Sequence, residues 1–283
     1  FAKAAERLGR STSAVSAQLK KLEEQAATPI FRKSGRGLAL TEAGETMLGY
    51  ARRLIELNDE AASAIRDVEL EGWVRLGLQE DFGETVLPDV LGRFARAHPK
   101  VRIEARIASS RELAERIVSG RLDIALAWHN GAVLPYSTHI ADVQMRWIGP
   151  ASPIATGWRD DEPLPLVALE APCLLRTVAT ETLDRAGLSW RMAFASPSLG
   201  GIWAAVAAGL GLTIRTDIGL PASVRALAAG ALGLPALPKL ALHLHRKDAE
   251  LEPVTARLGE ILLQSASGSL PDTAQAYPLG DTA

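Results

Sequence analysis

The pattern of apolar and polar positions opens with short helices. Residues 2–8 place Ala4, Ala5 and Leu8 on one face, and Gly9 interrupts the run as a helix-ending glycine does. Ser11 or Thr12 then caps a second helix, in which Val15, Leu19 and Leu22 recur at i, i+4 and i+7. Pro29-Ile30-Phe31 and Leu38-Ala39-Leu40 bracket Arg32-Lys33-Ser34-Gly35-Arg36-Gly37, which predicts a β-hairpin with a basic, glycine-rich tip. From Glu42 to about Leu70 there is no proline. Met47, Ala51, Leu54, Asn58, Ala61, Ile65 and Val68 alternate in steps of four and three, a heptad seam in which Asn58 sets register. A single amphipathic helix packed on its own domain is the plainer alternative.

Past Gly72 strands and helices alternate. Residues 73–78 read as a strand, and Leu87, Val90, Leu91 and Phe94 as a helix ending before His98-Pro99. Val101, Ile103, Ala105 and Ile107 alternate with charges, a half-exposed strand. Ser109 with Glu112 forms a capping box for a helix through Val118. Residues 123–128 are nearly all apolar, as in a strand buried on both faces. This is a doubly wound unit. A second unit follows Pro150. It has strands at 166–169, 192–195 and 212–214, helices at 180–186, after Gly201 and at 222–229, and a helix or strand opening at Leu174-Leu175. Residues 240–244 return as a strand toward the first unit. Val254, Leu258, Ile261 and Leu262 mark a last helix, with a frayed tail from Ser265.

Composition adds a contradiction. The 283 residues are 47% apolar and 23% charged, a globular profile, but the net charge of −2 is unfavourable for binding nucleic acid. The total hides an uneven distribution. Residues 1–40 hold eight Lys/Arg against three acids, a net +5. Residues 41–70 are −4, and the remainder is −3. A small basic module therefore heads a neutral to acidic body. Cys173 is the single cysteine, which excludes an intramolecular disulfide and a cysteine zinc cluster. No apolar run approaches ~18 residues, so no membrane partner is expected. The chain starts at Phe1, already inside a helical pattern and without Met. It is read as lacking its natural N-terminus, and, with no secretory signal, as cytoplasmic.

Helix, glycine turn, helix is the helix-turn-helix layout, and Ser11, Thr12, Ser13, Ser16, Gln18 and Lys20 lie off the apolar stripe. Short hydroxyls, an amide and a cation near a helix N-terminus suit phosphates and base edges in a major groove. An ordinary helical hairpin with a solvated face fits equally well until the wing is added. There Arg32, Lys33 and Arg36 provide phosphate contacts beside the groove.

At this point the chain resembles the LysR-type transcriptional regulators. The resemblance rests on Ala4-Ala5-Glu6-Arg7-Leu8, Ser11-Thr12-Ser13-Ala14-Val15-Ser16, Leu22-Glu23-Glu24, Pro29-Ile30-Phe31 and Leu40-Thr41-Glu42-Ala43-Gly44. It continues through Leu87-Pro88, Phe94, His98-Pro99, Gly120-Arg121-Leu122-Asp123, Ser196-Pro197-Ser198 and the run 206–211, covering residues 1 to about 264. Glu80-Asp81-Phe82 with Arg215-Thr216 looks like the enterobacterial motility and virulence subgroup. Ala27 stands where the family usually has Gly, which strains the turn, and Lys33 where it usually has Arg.

The resemblance implies an α/β protein in several parts. These are a winged helix-turn-helix at 1–42 with its first helix upstream, a dimerising linker helix at 43–71, and a two-lobed effector domain like periplasmic binding proteins. Lobe I is expected at 72–149 and 243–270, lobe II at 150–242, and a flexible tail at 271–283. The implied partners are a double-stranded DNA operator, a small-molecule effector, RNA polymerase and further copies of the chain, as homodimer and homotetramer.

In open α/β folds ligands bind at the C-terminal ends of strands. This selects Gln79, Glu80, Asp81, Ser109, Ser110, Trp128, His129, Ser196 and Ser198 as effector candidates. Each has a plainer role: Ser109 as a cap, Trp128 as core, Glu80 and Asp81 as charges at a helix start. Catalytic motifs are lacking: there is no His-Glu-x-x-His, no phosphate loop and no Gly-x-Ser-x-Gly. His243-x-His245 places two imidazoles on one strand face, favouring solvated or structural histidines over a metal site, and Cys173 reads as a small buried hydrophobe. Neither catalysis nor a cofactor or metal is expected. The competing readings are a solute-binding protein with no regulatory role, or an enzyme on the same fold.

Overall fold

The computed structural model describes residues 2–34, 37–66, 70–152, 162–270 and 275–276, the side chains of 56, 59, 60, 62–66 and 275–276 excepted. The chain divides into two compact units, 1–68 and 69–283.

In the first unit α1 (Ala2–Arg7) ends at Gly9, whose φ of +58° reverses the chain into α2 (Thr12–Ala26). Ser11 is the N-cap, accepting from the Ala14 N–H at 3.2 Å. β1 (Phe31–Ser34) and β2 (Gly37–Leu40) pair antiparallel, Phe31 opposite Leu40, and lead into α3 (Glu42–Arg66). Two side chains join these pieces. Glu23 Oε1 accepts from the backbone N–H groups of Ile30 (2.8 Å) and Phe31 (3.1 Å), fixing α2 to the hairpin. Thr41 Oγ1 donates to the Pro29 carbonyl at 2.7 Å and accepts from the Gly44 N–H at 3.0 Å, so it caps α3 while holding the hairpin base. Gly44 passes so close to the Ile30 carbonyl that a Cβ would collide with it. Ala27 takes a left-handed φ of 50°, the strain its sequence position predicts.

The second unit contains two lobes. Lobe I begins with β3 (Gly72–Leu78), α4 (Glu80–Gly83), α5 (Leu87–Ala97), β4 (Val101–Ile107), α6 (Ser110–Val118), β5 (Ile124–Trp128) and β6 (Ser137–Gln144). Lobe II follows as β7 (Arg146–Pro150), β8 (Leu164–Leu169), α7 (Leu174–Arg185), β9 (Trp190–Ser196), α8 (Leu199–Ala207), β10 (Thr213–Arg215), β11 (Val224–Ala226) and a 3-10 turn at Ala231–Gly233. The chain then returns to lobe I with β12 (Lys239–Arg246), α9 (Pro253–Ser269) and β13 (Gln275–Ala276).

The lobe I sheet has the order β13-β6-β12-β5-β3-β4, with β5, β3 and β4 parallel and β12 antiparallel to both neighbours. Val74, Leu76 and Leu78 meet Val254, Leu258 and Leu262 of α9 on one face. Leu113 and Ile117 of α6 cover Ala125 and Ala127 on the other. In lobe II β10-β7-β11 form one ladder and β8-β9 another, joined where Leu166 bridges Leu212. Asp123 pins the start of β5. It accepts from Arg75 N (2.8 Å), Nε (3.1 Å) and Nη2 (2.6 Å) and from Lys247 Nζ (3.2 Å).

Several expectations are corrected. The helix expected at 222–229 is strand β11, because Val224 and Ala226 pair with Pro150 and Ile148 at the edge of the lobe II sheet. Strands β6 and β7, absent from the sequence reading, share residues 137–150, and the chain changes sheets at Met145 between them. It comes back before Lys239, since all of β12 pairs within lobe I. The lobes thus exchange a few residues earlier than 150 and 243. Leu174-Leu175 open helix α7, and α9 runs through Ser265 to Ser269. The capping box at α6 is half formed. Ser109 accepts from the Glu112 N–H at 3.4 Å, but the Glu112 carboxylate turns to Arg106 and Arg116 at 2.8 Å each. Residues 67–69, with Val68, and the tail apart from 275–276 lie outside the described residues.

Candidate nucleic-acid interface and effector cleft

On α2, Val15, Leu19 and Leu22 are half-buried while Ser11, Thr12, Ser13, Ser16, Gln18 and Lys20 are exposed. No acid lies in the first turn. The helix N-terminus, with its unpaired N–H groups and partial positive charge, is therefore open to an anion. The Ser11 hydroxyl is engaged in capping and in a 3.0 Å hydrogen bond with Ser13 Oγ. Arg32 and Lys33 are exposed on β1, while Arg36 lies outside the described residues. Glu23 ties the polar helix to the basic strand through the Ile30 and Phe31 N–H groups. Along the linker seam Met47 and Ala51 are half-buried, and Leu54, Asn58 and Ala61 are exposed. The Ile65 side chain and Val68 are outside the described residues.

Between the lobes lies a cleft of about 390 Å3. Lobe I contributes Gln79, Glu80, Ser109, Ser110 and Trp128 of the candidates, with Arg106 and Glu112 beside them. Gln79 is buried. Its Oε1 accepts from the Asp81 N–H and its Nε2 donates to Glu80 Oε2, both at 3.0 Å. Burial pushes the Glu80 carboxyl above its usual range; Arg215 draws it back and Asp81 adds to the rise. Burial also opposes the Glu112 carboxylate, but hydrogen bonds from Arg116 and Arg106 prevail and hold its pKa below normal. Trp128, 1% exposed, forms part of the cleft wall.

Four candidates are placed elsewhere. Asp81 is turned inward: its Oδ2 accepts from Trp128 Nε1 at 2.8 Å, and it does not line the cleft. Ser196 and Ser198 close a local turn, the Ser198 N–H donating to Ser196 Oγ at 3.1 Å, and Pro197 lines the cleft instead. His129 stacks on His243, ring centroids 4.8 Å apart, in a group with His139 and His245. There Ser137 Oγ hydrogen-bonds His243 Nδ1 at 2.8 Å, and His139 Nε2 meets Asp142 at 2.9 Å. Burial, reinforced by neighbouring imidazoles, pushes both His243 and His245 down to about 4; Asp142 opposes this at His243. Among the described residues no three or more His, Cys, Asp or Glu side chains are grouped to hold a metal ion.

Sequence reasoning missed most of the lobe II wall: Leu169, Glu170, Pro172, Cys173, Leu174 and Leu175. Cys173 is half-buried at the start of α7 rather than enclosed in the core. Arg215, read from the sequence only as part of a subgroup resemblance and not as a site residue, is 1% exposed and faces Asp81. Its unusual position after a buried strand was the one available signal.

Residues 1–45 match the description "Bacterial regulatory helix-turn-helix protein, lysR family", and residues 68–267 match "LysR substrate binding domain". The chain belongs to the LysR family: it is a DNA-binding transcriptional regulator with an effector-binding domain. It is 32% identical over 272 residues to the HTH-type transcriptional regulator PecT of Dickeya dadantii, covering 96% of this chain and 84% of PecT. Its fold is similar to that of Vibrio fischeri DarR, solved in complex with DNA, with TM-score 0.55, 18% identity and coverage of 94% and 93% of the two chains. It is also similar to the effector binding domain of QuiR in complex with shikimate, with TM-score 0.54, 12% identity and coverage of 71% and 100%. Among the described residues no helix is long and apolar enough to cross a membrane.

Proposed function

We propose that α2 enters the major groove of a dyad-symmetric operator through Ser11, Thr12, Ser13, Ser16, Gln18 and Lys20, while Arg32, Lys33 and Arg36 of the wing hold phosphates. The single observation that supports this best is the Glu23 tie, which presents an acid-free helix N-terminus and a basic strand as one surface. Two such surfaces are needed for a dyad. The exposed seam residues Leu54, Asn58 and Ala61, with Met47, Ala51, Ile65 and Val68, pair α3 into a dimer, and effector domains pair dimers into a tetramer. The protein works in the cytoplasm, on the nucleoid, and RNA polymerase is the partner through which it acts on promoters.

The cleft is the effector site, with Gln79, Glu80, Ser109, Ser110 and Trp128 on its lobe I side. Binding there alters the lobe arrangement, and control follows from differential affinity for two arrangements. QuiR holds shikimate in its effector binding domain, which supports a small-molecule ligand here.

The test is Ser16→Glu, assayed on operator fragments selected from random DNA. A carboxylate facing phosphates should abolish binding while the oligomer elutes unchanged from a sizing column. Retained affinity at moderate salt would assign the wrong helix face.

A further inference from the structure

Asp81 is held in place by side chains of the cleft wall. Gln79 Oε1 accepts from its N–H at 3.0 Å, and Trp128 Nε1 donates to its Oδ2 at 2.8 Å. The other carboxylate oxygen, Oδ1, faces lobe II. It has no hydrogen-bond partner among the described residues and lies 3.8 Å from Arg215 Nη1. Arg215 ends β10 of lobe II and is 1% exposed, and its Nε and Nη1 are equally without a partner. Lobe II touches the same lobe I segment again at Gly219. A Cβ there would come within 2.8 Å of Thr85 Cγ2 and 3.2 Å of the Asp81 carbonyl oxygen.

Two buried groups of opposite charge thus stop short of the bond that each lacks. A charge-assisted N–H···O bond is about 2.7–2.9 Å long, so the pair stands about 1 Å beyond it, a gap that a small rotation of the lobes removes. Buried charges with unmatched donors and acceptors are costly, so the arrangement in which they meet is the better one electrostatically. A purely structural bridge is bonded already, as Arg75 Nη2 is to Asp123 at 2.6 Å. The Arg215 charge also reaches the cleft: burial pushes the Glu80 carboxyl up, and Arg215 draws it back.

We propose that Asp81 and Arg215 are positioning residues of the effector response, a catch whose direct hydrogen bond forms when the lobes close on an occupant and is lost when they part. This rests on the reading of the cleft as the effector site. Neither residue lines the cleft. Asp81 acts through Gln79 and Trp128, which do, so an occupant that shifts either one moves Asp81 with it. Arg215 acts from behind Leu169, Cys173 and Leu175, walls shared by the cleft and the small cavity that Arg215 lines. One bond across the lobe boundary then favours the closed arrangement over the open one, the difference between two states that control requires.

Cys173, the single cysteine, lies in the lobe II wall of the cleft and reports how open it is. The experiment measures its alkylation by iodoacetamide in the full chain under native conditions. Asp81→Asn keeps an oxygen for Trp128 Nε1 and removes the charge; Arg215→Gln removes the cation. Each should speed alkylation about tenfold, the weight of one hydrogen bond to a charged group, and the double variant no more than either alone. Leu258→Ala, a truncation in the core under α9, should lower the melting temperature and leave the rate unchanged. If the Arg215 variant misfolds, Asp81→Asn against Leu258→Ala decides. An unchanged rate in Asp81→Asn, additive effects in the double variant, or equal acceleration by Leu258→Ala would overturn the catch. Capping Cys173 with N-ethylmaleimide then places an occupant in the cleft. Affinity for the selected operator fragments should change on capping in the wild type and stay constant in Asp81→Asn. An equal change in both would mean that the signal bypasses the pair, which overturns the proposal. No change in the wild type, beside tenfold faster alkylation of the variants, would overturn the cleft as the effector site and leave the catch standing.

Discussion

Asp81 of lobe I and Arg215 of lobe II face each other across the lobe boundary, both almost fully buried, with Oδ1 and Nη1 3.8 Å apart. The separation is an ion pair without a direct hydrogen bond, and Asp81 spends its other oxygen on Trp128. Removing one member leaves the other as an uncompensated buried charge. Arg215→Met should therefore cost about 3 kcal/mol in urea unfolding. Asp81→Leu combined with Arg215→Met should recover much of that, minus roughly 1 kcal/mol for the orphaned Trp128 N–H. Strict additivity of the two single losses would show that the pair is not coupled.

Glu23 is the joint of the DNA-binding unit. Glu23→Ala frees two backbone N–H groups of the hairpin and should lower thermal stability by about 1.5–3 kcal/mol. Because the wing then floats relative to α2, operator affinity should fall more than for a surface alanine elsewhere on α2. Mobility shift beside thermal melting separates the two effects.

Lys33 is exposed on β1. Lys33→Ala should weaken binding to every DNA sequence alike and reduce the slope of log affinity against log salt by about one. A changed base preference would contradict a phosphate role.

Ala27 holds a left-handed conformation at φ 50°. Ala27→Gly removes that strain and returns some chain entropy to the unfolded state, so a net gain of about 0.5–1 kcal/mol is expected. Melting of the variant measures it, and an unchanged or lowered Tm would mean that the turn carries no strain.

Two histidines and one aspartate contribute to the acid side of the stability curve. His243 and His245 have folded pKa values of about 4, below the usual 6.5, so between those limits the unfolded chain binds protons the folded chain does not. Their stabilising contribution is complete above about pH 6.5 and is lost as the pH falls toward 4. Asp123 adds a later loss. Burial opposes its charge, but hydrogen bonds from Arg75 and Lys247 hold its pKa below 3.8, and that stability disappears only as the pH drops below the carboxylate range. Urea midpoints against pH should show a slope between pH 6.5 and 4 that is shallower in a His243→Gln, His245→Gln variant, whatever its absolute stability.

The elements that periodicity made legible are those with a single solvent-facing side. Val15, Leu19 and Leu22 on α2, and Leu258 with Ile261 and Leu262 on α9, advertise their buried faces. Strands β6 and β7 were hidden because Met145 and Trp147 keep the apolar pattern running across the point where the chain leaves one sheet for another. Residues 222–229 mislead because alanines suit a helix, whereas pairing with β7 decides the outcome. The lobe I half of the cleft was readable from strand ends. The lobe II half was not, because Glu170 and Cys173 follow a strand whose neighbours could not be placed from sequence. Asp81 and His129 sit at strand ends too, yet their side chains point to Trp128 and His243, a choice made by tertiary packing.

Lobe II enters and leaves lobe I through neighbouring strands. Gln144 pairs with Lys239, and the Gln144 side chain donates to the Leu237 carbonyl at 2.7 Å, while Trp147 Nε1 donates to the Pro235 carbonyl at 2.9 Å. Two strands laced side by side behave mechanically like the leaf of a door. They bend readily about one axis and resist shear and torsion, since those would break the lacing. On the proposed function, an occupant of the cleft would act through one coordinate, the opening angle of the lobes, which a symmetric assembly of several such chains can add or oppose.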